Sequence, residues 1–393
     1  MKKILIHDYA GHPFQIDLSR QLSKKYDVLH CYNASNTTPQ GKTKKTKNDL
    51  KSFNIAPITL SSKIDKNSLF KRWYQEVRYG IKLIKTIKEY SPDIIISTNT
   101  PLDAQFIIFI YSKFKKIKFI FWLQDMIAFT ASVILKKRIK FLGSLVGLYF
   151  LFLEKNIAKF SDITIVTMDS HISILEKWGV KKEKISLIHN WACLEDYPIM
   201  KKNNEWSKKH NYSNKFIFMW TGTMGMKHSP DLFIDLSEKF KNNLDIQIVV
   251  VSESQGADWL KEQKEKLNIK NMDILPYQDF KDVPNMMAAS DCLICIVGND
   301  VADAAIPSKF LSYMCAKRAI ILAIKNSNHA ALIAKEHKTA LLCNPDDVES
   351  FLDFTELIYN NTKLRNELSF SARNYAENNF IISKIAKKFE LLI

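Results

Sequence analysis

The sequence has few cysteines and no long hydrophobic run, and both shortages narrow its class. Six cysteines in 393 residues are too few for the disulfide framework of a secreted protein. Cys292 and Cys295 form a C-x-x-C pair, but apolar residues surround them and no second pair would complete a zinc site. We interpret both as small core residues. The longest nearly apolar run, residues 141–153, is shorter than the ~20 residues of a membrane-spanning helix.

Several catalytic and cofactor motifs are also missing. The sequence contains no G-x-G-x-x-G, no P-loop, no H-E-x-x-H and no G-x-S-x-G, which disfavours the corresponding nucleotide, zinc-protease and hydrolase sites. No two aspartates are spaced D-x-D, so a metal–diphosphate clamp of that type is not offered. No pattern of a nucleic-acid-binding module is found. The first residues, MKKILIHD, form no apolar signal region, which predicts a cytoplasmic protein.

Positive charge is concentrated in the first half of the chain. The formal net charge is +16, from 57 Lys and Arg against 41 Asp and Glu. Residues 1–200 hold 32 of the basic and 17 of the acidic residues, which leaves 25 and 24 for residues 201–393. This asymmetry indicates that the first half meets a negatively charged partner.

Short apolar strands alternate with helices along the chain, which predicts parallel sheets covered on both faces. One such series begins at Ile4 and a second begins at Phe216. Residues 34–67 are polar and lysine-rich, and we expect a long mobile loop there. The polar stretch 196–214 is interpreted as a linker. The pattern therefore predicts two α/β units, with the ligand site in the cleft between them.

In open parallel sheets, ligands bind beyond the carboxyl ends of the strands, so the residues that follow each strand are candidates. In the second series, TGTMGMKH at 221–228 follows the first strand and leads into a helix. Glycine lets a backbone approach a phosphate, the helix start offers free N–H groups, and Lys227 adds a positive charge. We interpret this loop as a phosphate contact, and an ordinary strand-to-helix turn is the alternative.

Lys309 is a second candidate for contact with an anion. It stands in IPSKFLSY, residues 306–313, near the start of a predicted helix. The helix dipole favours anions at this end, so a lysine there is explained if an anion lies beside it. A solvated lysine without such a role is the alternative.

Two residues of the first series are candidates for contact with a sugar. Asp125 ends a buried strand, where a carboxylate can bind a hydroxyl group or act as a base. A helix-capping or loop role is equally open for it. His12 follows the first strand, at the same predicted sheet edge. A loop histidine without function is the alternative there.

At residues 306–316, IPSKFLSYMCA, the chain resembles the family 4 glycosyltransferases, which have the GT-B architecture. The resemblance extends over nearly the whole length, and the order and spacing of the matching stretches carry it. These stretches are YAGHPFQ (9–15), WLQD (122–125), VTMDS (166–170), IHNW (188–191), TGTMGMKH (221–228), VSESQG (251–256), LPY (275–277) and RNYAE (373–377). The chain is most similar to the branch of bacterial surface-polysaccharide transferases that use UDP-sugars.

This resemblance implies an α/β fold of GT-B type, with two Rossmann-like, doubly wound parallel-sheet domains facing a central cleft. It implies an acceptor-binding domain at 1–200, a nucleotide-sugar-binding domain at 201–375, and a C-terminal helix at 376–393 that packs back on the first domain. The expected nucleotide-sugar contacts are Gly222, Thr223, Lys227, Tyr277, Ser308, Lys309 and Ser312. The expected catalytic residues are His12, Asp125, Lys227 and Lys309.

The sequence departs from the family pattern where the family has charged donor contacts. The family's arginine near the loop lysine falls on Thr223, and its two glutamates, spaced E-x7-E, fall on Ala304 and Ser312. Asp303 stands one residue before the first of these positions. Ser312 keeps a hydroxyl group for a ribose, and we expect Lys309 to supply part of the lost phosphate binding.

The residues and the resemblance together predict a retaining, metal-independent glycosyltransferase of class EC 2.4. It is expected to move a sugar from a UDP-sugar to a polyprenyl-diphosphate-linked glycan in the biosynthesis of a cell-surface polysaccharide such as O-antigen or capsule. No cofactor, metal or nucleic acid is expected as a partner. A UDP-sugar epimerase of the same two-domain shape and a catalytically degenerate, membrane-associated scaffold are the alternatives.

Basic residues lie beside apolar ones at 69–90, 113–118 and 136–153. Such segments are typical of proteins that lie on an anionic leaflet. They predict peripheral binding to the inner face of the cytoplasmic membrane. A buried helix at 142–153, with the lysines on a solvated face, is the alternative.

Overall fold

The computed structural model describes residues 1–36, 40–65, 68–98, 100–299 and 306–393, with all their side chains except those of 69, 130 and 132–142. The chain divides into two compact units. One consists of Met1–Asn190 with Ile382–Ile393, and the other of Trp191–Ile381. Each unit is a parallel sheet with surrounding helices, as the alternating pattern predicts.

The first unit contains a seven-stranded parallel sheet. Its strands are β1 (Lys3–Asp8), β2 (Asp27–Asn33), β3 (Phe53–Ile58), β4 (Ile94–Thr98), β5 (Lys118–Leu123), β6 (Ile163–Val166) and β7 (Ile185–Leu187). Its first helices are α1 (Pro13–Leu22), α2 (Leu69–Tyr90), α3 (Leu102–Phe114), α4 (Ile127–Phe160) and α5 (Asp169–Lys177). The strand order is β3-β2-β1-β4-β5-β6-β7, so the direction of winding reverses between β1 and β4. In doubly wound sheets, ligands bind near this reversal.

The edge strand β3 corrects a sequence-based expectation. We expected a mobile loop at 34–67, but Phe53–Ile58 pairs with β2 in parallel register. Asn54 and Pro57 interrupt the apolar pattern of this segment. A proline is tolerated there because a strand at the edge of a sheet leaves one side without partners.

The second unit contains a six-stranded parallel sheet. Its strands are β8 (Phe216–Thr221), β9 (Ile246–Val251), β10 (Met272–Leu275), β11 (Cys292–Ile296), β12 (Ala319–Ala323) and β13 (Leu341–Cys343). Its helices are α6 (Glu205–Lys209), α7 (Asp231–Lys239), α8 (Gln255–Lys266), α9 (Val283–Ala288), α10 (Ser308–Cys315), α11 (His329–His337), α12 (Val348–Asn360) and α13 (Thr362–Asn379). The order β10-β9-β8-β11-β12-β13 repeats the reversal seen in the first unit. Cys292 and Cys295 are fully buried in β11, as predicted for core residues.

The boundary between the units falls between residues 190 and 191, rather than at residue 200. The polar composition of 196–214 predicts a linker, but the structure attaches this stretch to the second unit. Trp206 is buried and donates a hydrogen bond from Nε1 to Gln278 at 3.1 Å. Lys202 forms an ion pair with Asp291 at 2.5 Å. These contacts fix residues of the predicted linker to the second unit. The predicted boundary at residue 200 is therefore too late in the chain.

The last helix, α14 (Ile382–Glu390), belongs to the first unit. Lys25 forms an ion pair with Glu390 at 2.7 Å, and the Phe389 ring lies 4.8 Å from the Trp122 ring. The segment that joins the first unit begins at Ile382 rather than at residue 376, because α13 continues to Asn379.

Helix α4 has 34 residues, and it is not straight. A straight helix would place Ile127 and Glu154 about 40 Å apart. Glu154 nevertheless accepts hydrogen bonds from the N–H groups of Ile127 at 2.9 Å and Ala128 at 3.2 Å. Its buried carboxyl group thereby caps the start of α4, where Met126 offers no side-chain cap.

Candidate functional site

The loop that follows β8 brings together most of the predicted donor contacts. Gly222 directly follows Thr221, the last residue of β8, and has a φ of +92°. This conformation strains any residue with a Cβ. A Cβ on Gly222 would also lie 3.2 Å from Cε of Lys309. The backbone and the approach of Lys309 therefore both favour glycine at this position.

Two neighbouring segments hold this loop in place. Ser254 Oγ accepts a hydrogen bond from the Met224 N–H and donates one to the Met224 carbonyl, both at 2.8 Å. The Gly256 N–H donates to the same carbonyl at 2.8 Å. The Gly298 N–H donates to the Lys227 carbonyl at 2.8 Å, and a Cβ on Gly298 would lie 2.7 Å from that oxygen. A loop fixed in this way loses little conformational freedom when a ligand binds.

Lys309 reaches back to this loop from the first turn of α10. Its amine lies 4.7 Å from the centre of the Trp220 ring and donates a hydrogen bond to the Thr223 carbonyl at 3.0 Å. Burial lowers the pKa of Lys309 to about 8, with Cys295 acting in the opposite sense and the charge of Lys227 adding to the decrease. Among the described residues, neither lysine forms an ion pair. The loop therefore presents two positive amines to a ligand.

His228 adds a polar group that the sequence analysis did not single out as a site residue. Its Nδ1 accepts a hydrogen bond from the Gly225 N–H at 2.9 Å. Burial, and then the charges of Lys309 and Lys227, lower the pKa of His228 to about 3. The ring is neutral near pH 7, and its proton must reside on Nε2 because Nδ1 is an acceptor. His228 therefore supplies a neutral N–H donor beside the two amines.

The other predicted donor contacts lie on the same unit. The hydroxyl groups of Thr223 and Tyr277 lie 3.2 Å apart. Ser308 is exposed at the start of α10. Ser312, half-buried on α10, lies near the Tyr197 hydroxyl group. Gly222, Thr223, Lys227, Tyr277 and Lys309 are thus gathered around one loop, whereas Ser308 and Ser312 lie along α10.

The structure describes some of the positions at which this sequence departs from the family pattern. Asp303 and Ala304 lie outside the described residues. By the resemblance seen in the sequence, Ser254 and Lys317 stand where the family often has glycine. Ser254 holds the loop after β8, as described above, whereas Lys317 follows α10 with a φ of +53°. This left-handed conformation after a helix favours glycine, so Lys317 carries backbone strain.

In the first unit, His12 and Asp8 form a pair at the carboxyl end of the sheet. His12 donates its backbone N–H to Asp8, and its Nδ1 lies 3.3 Å from Asp8 Oδ1. Burial alone would lower the pKa of His12, but the charge and hydrogen bond of Asp8, and then the charge of Asp125, raise it. His12 and Asp125 are therefore near neighbours. Asp125 is exposed, and Glu154 accepts hydrogen bonds from the N–H groups of Ile127 and Ala128 at the start of α4.

The outer face of α2 is both apolar and basic. Phe70 is 87% exposed, and Trp73 and Ile81 are exposed on the same helix. The residues that α2 buries in the core are Gln75, Glu76, Tyr79, Gly80, Leu83 and Ile87. The basic residues of this helix are Lys71, Arg72, Arg78, Lys82, Lys85 and Lys88. Phe70, Trp73 and Ile81 thus face outward rather than into the core.

Helix α4 also exposes large apolar side chains. Leu148 is 62% exposed and Phe152 is 59% exposed, whereas Leu153 is buried. The alternative of a buried helix at 142–153 therefore does not hold for Leu148 and Phe152. Lys136, Lys137 and Arg138 have side chains outside the described set. Within the described part of the chain, no helix combines the length and apolar character needed to span a membrane.

Comparison with known families matches each half of the chain. The model "Glycosyltransferase Family 4" matches residues 14–195, and the model "Glycosyl transferases group 1" matches residues 202–375. The chain belongs to the family 4 glycosyltransferases. The two matches leave only the ends and a short junction uncovered, which agrees with the extent of the resemblance seen in the sequence.

Individual relatives of this glycosyltransferase are distant. A protein of Escherichia coli K12 named as a colanic acid biosynthesis glycosyl transferase, WcaI, is 20% identical over 178 residues, or 44% of each chain. The match thus spans less than half of WcaI. Anabaena Alr3699/HepE, solved in complex with UDP, has a TM-score of 0.71 at 14% identity, covering 100% of this chain and 99% of its own. WaaG, a glycosyltransferase involved in lipopolysaccharide biosynthesis, has a TM-score of 0.69 at 13% identity and 98% coverage of both chains. At these identities the structural likeness shows the fold alone.

Asp8, His228 and Ser254 are the residues of this glycosyltransferase that sequence reasoning missed as parts of the site. Asp8 and Ser254 hold loops that follow strands, whereas His228 lies in the loop after β8. A signal existed for Asp8, because it ends the first strand beside the His12 loop. A signal also existed for His228, which directly follows Lys227.

Proposed function

We propose that this family 4 glycosyltransferase moves a sugar from a UDP-sugar to a polyprenyl-diphosphate-linked glycan in bacterial cell-surface polysaccharide biosynthesis. The transfer retains the anomeric configuration and needs no metal. The observation that carries the proposal is the fixed loop after β8, where Lys227 and Lys309 present two amines. HepE was solved in complex with UDP, and WcaI is named for colanic acid biosynthesis, which supports the same donor and product classes here.

The group that the enzyme must stabilise most during the reaction is the leaving UDP. The bond between the anomeric carbon and a diphosphate oxygen breaks, and its electron pair leaves with UDP. The acceptor hydroxyl oxygen forms the new bond to the anomeric carbon and gives up its proton to the departing diphosphate. Negative charge develops on the diphosphate, and fixed positive groups stabilise it most when they are in place beforehand. Lys227, Lys309 and the His228 N–H are donors of this kind. The start of α10 adds backbone N–H groups.

Calorimetric titration with UDP tests the donor part of the proposal. Wild-type protein is expected to bind UDP in the presence of EDTA. Lys227→Ala and Lys309→Ala are each expected to weaken binding about 10- to 100-fold, because a hydrogen bond to a charged group contributes ~1.5–3 kcal/mol. Lys266→Ala, at an exposed position on α8 of the same unit, is the matched control and should bind like wild type. Binding that requires added magnesium would overturn the metal-free part of the proposal.

The acceptor part is supported by the first unit. Its net positive charge, the exposed apolar face of α2 and the exposed Leu148 and Phe152 of α4 suit a surface that meets an anionic leaflet. A lipid-linked diphosphate is both anionic and membrane-bound. We therefore place the enzyme peripherally on the inner face of the cytoplasmic membrane.

Vesicle flotation tests this placement. Wild-type protein should float with vesicles that contain phosphatidylglycerol and remain behind with pure phosphatidylcholine. The variant Arg78→Glu/Lys82→Glu/Lys85→Glu should lose at least about 100-fold in affinity for the anionic vesicles, because each basic residue near such a surface adds ~1 kcal/mol. The matched control is a triple reversal at exposed positions of the second unit, made of K266E, K270E and K335E. Equal loss in both triple variants, or no loss in either, would contradict a specific role for α2.

The product distinguishes the alternatives. A UDP-sugar epimerase would convert one UDP-sugar into another without releasing UDP. A degenerate scaffold would float with anionic vesicles but turn over no UDP-sugar. A transferase releases UDP and labels the lipid.

A further inference from the structure

Asp8 is a fully buried carboxylate at the end of β1, and the donor chemistry makes no use of it. It accepts hydrogen bonds from the N–H groups of Ala10, at 3.0 Å, and His12. The Gln15 side chain, with its amide nitrogen facing Asp8, donates to the two carboxylate oxygens at 2.6 and 2.8 Å. A buried charge with this many donors is held in one position.

The same network reaches the residue before Asp125. In this orientation the Gln15 carbonyl oxygen accepts a hydrogen bond from the Gln124 side-chain amide. Gln15 and Gln124 are both buried. Asp8 is therefore connected, through two glutamines, to the segment that carries Asp125 at the end of β5.

His12 is partly exposed at the start of α1. Its side chain is 39% exposed, whereas that of Asp8 is inaccessible. Nδ1 faces Asp8 Oδ1 at 3.3 Å, and an ionised carboxylate can only accept hydrogen bonds. Nδ1 therefore carries a proton, and Nε2 is the ring atom left to meet a substrate. A buried aspartate orients a catalytic histidine in the same manner in the Ser-His-Asp triad.

The charged groups around this pair raise the pKa of His12 and lower the pKa of Asp8. Burial lowers the pKa of His7 to about 3 and that of His30 to about 4, so both rings are neutral. Burial alone would raise the pKa of Asp8, but the charge and hydrogen bonds of His12 lower it. Asp125 is the other charge that acts on His12.

We propose that Asp8 is a positioning residue, which holds His12 with Nδ1 towards the buried carboxylate and Nε2 towards the substrate. The role of His12 in the reaction rests on the function proposed above, whereas the link between Asp8 and His12 does not. Asp8 also favours the protonated form of the imidazole, so its loss should lower the pKa of His12.

Nuclear magnetic resonance of protein labelled in the histidine rings tests the link without any substrate. The His12 signals are identified by their loss in His12→Gln. In Asp8→Asn, which preserves the size of the side chain, His12 should titrate about one to three pH units lower than in wild type. Asp49→Asn, at another acidic residue of the first unit, is the control and should leave the titration unchanged. An unchanged His12 titration in Asp8→Asn would overturn the proposal.

A double-mutant cycle tests the role in the reaction, with UDP release from the UDP-sugar that the wild type turns over as the measured rate. Asp8→Asn should lower this rate at least about tenfold, but by less than about twofold in the His12→Gln background. The limb of the pH profile that His12→Gln removes should move to lower pH in Asp8→Asn. Equal losses in both backgrounds, or a parallel loss of UDP affinity, would show a merely structural role. If no UDP-sugar is turned over, the proposed function fails, while the resonance titration still decides the link.

Discussion

Protonation of Lys309 predicts a specific pH dependence of UDP binding. The pKa of Lys309 is lowered to about 8, mainly by burial, and the adjoining Lys227 amine contributes. If the bound diphosphate keeps Lys309 charged, the pKa of Lys309 rises when UDP binds. The affinity for UDP is then fully present below the pKa that Lys309 has in the unliganded protein, and it is lost above that pKa. About nine-tenths of the Lys309 amines are charged at pH 7 and about one-tenth at pH 9. The affinity for UDP should therefore fall about tenfold over this range.

Calorimetric titration measures both the affinity and the proton that accompanies it. Near pH 8 about half a proton should be taken up for each UDP bound, which is read from titrations in two buffers of different ionisation enthalpy. Lys309→Met should bind UDP weakly at every pH and without this dependence. In Lys227→Met the dependence should persist at a higher pH, because Lys227 is one of the groups that lower the pKa of Lys309. An affinity for wild-type protein that stays constant up to pH 9 would refute the reasoning.

Three further predictions follow from the packing. Gly298→Ala places a Cβ 2.7 Å from the Lys227 carbonyl and should weaken UDP binding about tenfold or more; unchanged UDP affinity by calorimetry would show that this contact does not fix the loop. Lys317→Gly removes the strain of a φ of +53° and should raise the free energy of unfolding by about 0.5–1 kcal/mol, as measured by urea denaturation; a decrease would contradict the assignment. Burial raises the pKa of Glu154 to about 8, above its value in the unfolded chain. The free energy of unfolding should therefore decrease as the pH rises between about 5 and about 8, because the folded state favours the protonated form. Glu154→Gln, which does not titrate, should become more stable relative to wild type across this range, and a stability difference that does not change with pH would count against the reasoning.

The fold was largely predictable because its strands are continuous apolar runs. Segments such as Ile246–Val251 and Ala319–Ala323 are buried on both faces of a parallel sheet, and their composition shows it. The edge strand β3 was missed, since Asn54 and Pro57 interrupt its pattern. The unit boundary was placed too late, because Trp206 anchors a stretch whose other residues are mostly polar.

The candidate site was predictable where a residue type and a strand end coincide. Lys227 and Lys309 were expected to contact one anion, and the structure brings both to the loop after β8. The resemblance alone pointed to Ser254 as a departure, and only the structure shows that it holds Met224 in place. Contacts of this kind join segments far apart in sequence, so no local pattern reports them.

The proposed catalytic residues of the first unit were predicted from the strand ends. The residues that hold them in position were not predicted. His12 and Asp125 follow β1 and β5, which is visible in the sequence. That Asp8 orients His12, and that Glu154 holds the start of α4, depends on burial and on hydrogen bonds across the unit. Whether His12 and Asp125 act on the sugar remains a prediction.

Transfer of label from a UDP-sugar to lipid tests the central claim most directly. Purified protein is incubated in EDTA with bacterial lipid extract and, in turn, with UDP-sugars that are radiolabelled in the sugar. One donor should yield labelled lipid and free UDP in equal amounts, with both products greatly reduced in Lys227→Ala and Lys309→Ala. UDP release without labelled lipid, conversion of the UDP-sugar without UDP release, or no turnover of any donor would contradict the proposed transfer.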